Sequence, residues 1–221
     1  TISKYFSIAS KDTRRLRLLW LYHLVFGLVV CYISLKDSGS DSVKYWREAR
    51  HLSASEAWKY LFMSRGTFAM YSINYIPAAV LGLSFFMLTV MYSLWGFIGF
   101  CFFYRIAEDI IPNNSKLKSI YIFPTILFLP SLHFWSAGVG KDTLLFTCIG
   151  GFIYAMMNLQ RRYIVLIIAI VISLLVRPHI TLFLFMSFAA AYLFNTKIQV
   201  YKRVLLSLLL AGVCIALIPK L

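Results

Sequence analysis

Charge is scarce in this chain. Only 14% of its 221 residues are Asp, Glu, Lys or Arg, and just 8 of them are acidic; a soluble domain averages about 25% charged residues. That scarcity leaves no soluble basic domain to carry a nucleic-acid role, despite a net charge of +14. The four cysteines, Cys31, Cys101, Cys148 and Cys214, each fall inside an apolar run and none has C-x-x-C spacing. They read as small buried hydrophobes, not as metal ligands or a redox pair. No cleavable leader is evident, because the first apolar run is too long for a signal h-region and lacks a small-residue cleavage site. No inverted repeat is visible and few charges lie within the apolar runs, which weighs against a transporter or channel.

What fills the chain instead is apolar. The sequence is 61% hydrophobic with a mean hydropathy of +0.78, the composition of a polytopic membrane protein. The expected fold is an all-α bundle forming one transmembrane domain over 1–221, with about seven spans. The candidate runs are Leu16–Leu35, Phe85–Tyr104, Ser119–Trp135, Thr143–Leu159, Tyr163–Val176, Ile180–Phe194 and Val204–Pro219, several shorter than the roughly 20 residues of a straight span. Tyr75–Leu83 is also apolar and either extends the second span or lies at the interface. Lys and Arg set the orientation. With the N-terminus cytoplasmic, the inner loops collect Lys4, Lys11, Arg14, Arg15 and Arg17, then the basic pairs and triplets near Arg105, Arg161 and Lys202. The short outer loops then carry only Lys141 and Arg177, while the long first outer loop, 36–75, is mixed in sign. Asp41, Lys141, Asp142, Arg177 and His179 thus reach the outer face from three loops.

The first outer loop has internal order. Asp37-Ser38-Gly39-Ser40-Asp41-Ser42 is turn-rich, and Asp41 or Ser42 can cap a helix through Val43–Ala49. Ser53 or Ser55 can start a second through Ala57–Phe62. Aromatic and basic residues alternate at helical spacing, which suits two short helices that either lie in the interface or simply cap the bundle.

Charged and titratable residues set in apolar surroundings are the candidate site, since a charge near a bilayer costs roughly 2.5–3.5 kcal/mol on insertion scales. Ala137-Gly138-Val139-Gly140-Lys141-Asp142 is not a Walker A loop: Trp135 stands where the first glycine belongs and Asp142 where the hydroxyl belongs. Glycines that free the backbone, a helix starting near Asp142 and an adjacent lysine still suit a phosphate. Asp142 either caps that helix or holds Lys141. In Arg177-Pro178-His179 the proline fits the first turn of the next helix, the arginine suits bidentate phosphate contacts, and the histidine can be neutral or charged near neutral pH. His133 lies close by and reads as structural. The plain alternative at both breaks is a tight hairpin with a basic side chain at the lipid headgroups.

Asp41-Ser42-Val43-Lys44-Tyr45-Trp46-Arg47-Glu48-Ala49 resembles the D-E-x-x-Y-x-x-x-A pattern of the GT-C superfamily of polytopic glycosyltransferases, which use polyprenyl-phosphate-linked sugars. Pro130–Asp142 and Arg177-Pro178-His179 likewise resemble membrane proteins of bacterial surface-polysaccharide assembly. The resemblance implies Asp41 as the catalytic base or as the group that orients the acceptor, Lys141 and Arg177 as the holders of the carrier phosphate, and His179 as an assistant; the residues themselves add Gly138 and Gly140 at the phosphate, with Tyr45, Asp142 and His133 in support. Ser42 stands where the family often has a second acidic residue, so no cofactor is expected and a divalent cation has little support. No soluble outer domain follows the last run, where many members carry one. The expected partners are membrane lipids and a polyprenyl-linked sugar donor, in a bacterial inner membrane with the active face outward. The competing expectation is a non-enzymatic subunit, a scaffold or anchor within a larger membrane complex.

Overall fold

The computed structural model describes residues 10–111, 116–117 and 120–193, with a few helical positions between 199 and 212. Within them the regular structure is helical apart from a short antiparallel ribbon pairing Lys116–Leu117 with Ile120–Tyr121. Three helices are long and apolar enough to cross a membrane. They belong to α1 (Ser10–Lys36), α5 (Phe85–Ile110) and α8 (Leu159–Val176). At 1.5 Å per residue, α5 is about 39 Å long, ample for a hydrocarbon core of about 30 Å.

Between the long helices lies α7 (Lys141–Met156), the best-buried element, wrapped by α5 on one side and α8 on the other. Small residues make this possible. A Cβ on Gly99 of α5 would strike Phe146 and Thr147, and one on Gly150 of α7 would press on Phe102, Phe103 and the Gly99 carbonyl. Helices in lipid gain from such close backbone approach, because no hydrophobic force distinguishes a neighbouring helix from a lipid tail. Helix α1 packs on the far side of α5, and α9 (Pro178–Leu193) on α8.

The break between α8 and α9 falls where the sequence places it. Arg177 is extended (φ −150°, ψ 92°) and Pro178 opens α9. The run Ser119–Trp135 departs from expectation: it is not one helix. It comprises a strand residue pair, a helical turn Ile122–Thr125, a 3-10 turn Ile126–Phe128 and α6 (Pro130–Ser136). Pro124 and Pro130 explain the interruption, since each removes a backbone donor and crowds the preceding turn. Val204–Pro219 lies almost wholly outside the described residues.

The segment between α1 and α5 forms a helical layer over one end of the bundle. It contains α2 (Asp41–His51), α3 (Ala54–Met63) and α4 (Thr67–Tyr75), the last running into a π-helical turn Ile76–Val80. Tyr75–Leu83 therefore closes α4, and does not extend α5, whose N-cap is Ser84. Ser53 caps α3 in a full capping box with Glu56. Neither Asp41 nor Ser42 caps α2; the cap position is Ser40 and Asp41 is the first helical residue. Helix α2 is anchored by Trp46, whose Nε1 donates to the Leu83 carbonyl at 2.9 Å, and by buried Tyr45 and Ala49.

A candidate anion-binding cleft under the helical layer

The ends of α1, α2, α6, α7 and α8 enclose a cleft of about 290 Å³. Asp41 and Tyr45 enter from α2, Gly138, Gly140, Lys141 and Asp142 from the α6–α7 loop and first turn of α7, and Arg177 from the α8–α9 break. Seven residues singled out in the sequence therefore share one cavity. His179 is exposed and does not line it, and His133 is buried elsewhere.

The loop is shaped by its side chains. Thr143 Oγ1 donates to the Gly138 carbonyl at 2.6 Å, folding the loop back on α7. The glycines do not supply left-handed backbone; the positive-φ glycines among the described residues are Gly66 and Gly82. Gly138 is needed for space, because a Cβ there would sit 2.5 Å from Val30 Cγ1 of α1. Gly140 is extended (φ −174°) and faces open space. It occupies the N-cap position of α7, where no side chain caps the first-turn N–H groups. Those groups and the helix dipole leave the cleft attractive to an anion.

Asp142 neither caps α7 nor holds Lys141. Its Oδ1 pairs with Arg177 Nη1 at 3.0 Å, with both side chains partly exposed. Lys141 turns to α4 and α2: its Nζ donates to Thr67 Oγ1 at 3.0 Å and lies 5.8 Å from the Tyr45 ring centre. Burial, and then the neighbouring Arg177 cation, hold the Lys141 pKa below the ordinary lysine value, against the pull of Asp41 and Asp142. Burial, with Asp41 next, pushes the Tyr45 phenol up to about 12. Tyr45 is therefore a neutral hydroxyl at physiological pH, and Asp41 stands exposed at the rim.

Thr67 carries no sequence signal, being a polar residue after a turn glycine; its role emerges only from the meeting of α4 with α7. His23 was also hidden, in the middle of α1. Its Nδ1 lies 3.0 Å from His133 Nδ1, while His133 Nε2 lies 2.8 Å from the Leu127 carbonyl. A carbonyl only accepts, so in the neutral pair His133 carries its proton on Nε2 and accepts at Nδ1 from His23. His23 Nε2 is buried and makes no hydrogen bond of good geometry among the described residues. The pair ties α1 to α6 just below the cleft. No protein-family model matches the chain, and neither a curated protein nor a solved structure matches it.

Proposed function

We propose that this chain is a membrane glycosyltransferase-like protein that acts on polyprenyl-phosphate-linked sugars at the outer face of a bacterial inner membrane, in surface-polysaccharide or glycoconjugate assembly. The about seven spans and cytoplasmic N-terminus belong to the same proposal. The observation that carries it is the convergence of Asp41, Lys141 and Arg177, from three separate loops, on one cleft at one end of the bundle. A scaffold has no need to gather charged side chains around a cavity.

The positions of these residues support one scheme. An acceptor hydroxyl attacks the anomeric carbon of the donor sugar, and the bond from that carbon to the carrier phosphate oxygen breaks. Asp41 takes the hydroxyl proton. The carrier leaves as a polyprenyl phosphate, whose gathering negative charge meets Lys141, Arg177 and the uncapped N-terminus of α7. Because these groups are fixed before the reaction, little reorganisation accompanies charge development. Tyr45 offers a neutral hydroxyl beside Lys141. His179, outside the cleft, has no part in this scheme.

The test is turnover of a polyprenyl-linked sugar donor by the protein in proteoliposomes. Asp41→Ala and Arg177→Ala are each expected to lower turnover at least about a hundredfold, the range of lost acid–base or charge stabilisation. Unchanged turnover in both removes the assignment.

A further inference from the structure

A second hollow adjoins the cleft. It is a trough of about 570 Å³ between α6 and α7, walled mainly by Leu132, Leu145, Phe146, Ile149 and Ile180, with Ser131 and Ser136 on its α6 side. It shares Trp135, Asp142 and Arg177 with the cleft. The Arg177–Asp142 ion pair therefore stands at the boundary between a polar chamber and an apolar channel. Two further apolar crevices, beside Tyr92 and beside Cys148, have no charged wall among the described residues.

We propose that this trough seats the hydrocarbon chain of a polyprenyl phosphate, and that its phosphate reaches the cleft by replacing Asp142 on Arg177. The inference rests on the function proposed above. Charge complementarity names the occupant: an apolar channel ending in an arginine fits one chain terminated by an anion. The cleft holds two cations, Lys141 and Arg177, and two carboxylates, Asp41 and Asp142, so a resting cleft is already compensated and an incoming anion must displace one carboxylate. Asp142 is the one that yields. Its pair with Arg177 uses a single 3.0 Å contact between side chains that are 46% and 37% exposed, the weak class of ion pair. A phosphate brings more charge and more acceptor oxygens than a carboxylate, and a guanidinium can hold it with two parallel bonds. Trp135, 65% exposed at the shared wall, gives the chain an aromatic edge where it leaves the bilayer.

Binding is measured on the full chain in nanodiscs with two probes: a long-chain polyprenyl phosphate, and dimethylallyl phosphate, which carries the same headgroup on one isoprene unit. Ile149→Trp fills the trough and is expected to weaken the long-chain probe about tenfold, leaving the short one unchanged; Leu132→Trp, on the opposite wall, is the second such variant should the first misfold. Asp142→Asn is expected to tighten both probes about tenfold, since the internal competitor is gone. Equal long-chain binding in wild type and both trough variants overturns the trough while leaving the phosphate cleft standing. Weaker binding in Asp142→Asn overturns the exchange. A diacyl phosphatidic acid that competes as tightly as the long-chain probe overturns the choice of occupant. Arg177→Gln leaving both probes unaffected defeats the phosphate assignment itself, and with it the proposed function.

Discussion

Gly96 is the point where a single methyl group tests the architecture beneath the cleft. It lies on α5, facing the end of α6, and a Cβ there would overlap the Ser136 carbonyl oxygen and sit 3.0 Å from His23 Nε2. The neighbour that must yield is backbone, not a mobile side-chain tip. Overpacking of this kind costs about 1–3 kcal/mol, and an unyielding carbonyl places Gly96→Ala toward the upper end. For a chain of this size each kcal/mol lowers the melting temperature by about 2–4 °C, so the variant is expected to melt about 4–10 °C below wild type. The assay is thermal unfolding in detergent micelles by near-ultraviolet circular dichroism or intrinsic fluorescence. Gly140→Ala is the control: it adds the same methyl, four residues past Ser136, into open space, and is expected to melt within about 1 °C of wild type. Equal melting of wild type and Gly96→Ala refutes the close approach of α5 to α6. A large loss in Gly140→Ala refutes the open geometry of the loop.

His23→Phe and His133→Phe each strand a buried partner and are expected to cost about 1–3 kcal/mol, while the double variant costs less than the sum; chemical denaturation of the four proteins measures the cycle, and simple additivity contradicts the paired geometry. The Lys141 pKa, lowered by burial and by Arg177, gives two opposite pH trends. The charged form is the binding form, so phosphate affinity falls as pH rises through a value below 10.5. The unfolded chain binds the extra proton between that value and 10.5, so stability rises across the same window; Lys141→Arg, charged throughout, abolishes both trends in a phosphate titration and in melting curves. Ser53→Ala removes the hydroxyl that receives the Glu56 amide and is expected to speed hydrogen exchange at Glu56 on the order of fivefold. Bonds from the Ser53 amide and hydroxyl hold the Glu56 carboxyl below its ordinary 4.5, so the capping box persists above pH 4.5 and fails as pH falls below it; exchange at Glu56 that stays flat across that range contradicts this.

The long apolar runs around Trp20 and Trp95 became α1 and α5 because an uninterrupted apolar stretch in lipid has no backbone solution but a helix. The Arg177-Pro178-His179 break was legible because proline fits a first helical turn and no interior one. The Ser53 cap was legible from local chemistry. The Ser119–Trp135 run misled because hydropathy outweighed its two prolines. The cleft was half legible: the costly residues Lys141 and Arg177 announced themselves, whereas the choice of Asp142's partner and the meeting of Thr67 with Lys141 depend on which helix ends touch. No local pattern encodes that. His179, sequence neighbour of a cleft residue, shows the same limit from the other side, since α9 carries it away from the cavity.

One backbone bond links the covering layer to the end of α8: the Gly66 amide, one residue before Thr67, donates at 2.9 Å to the carbonyl of Leu175, two residues before Arg177. Gly66 adopts φ 68° to make it. The covering layer is thereby tied to the last turn of α8, which ends at Arg177, and the residue next to the tie, Thr67, holds Lys141. A tilt of α4 pulls on Lys141 through Thr67 and on the turn before Arg177 through Leu175 at once. Movement of the covering layer therefore reaches both cations together, so the spacing of Lys141 and Arg177 and the seating of that layer change as one.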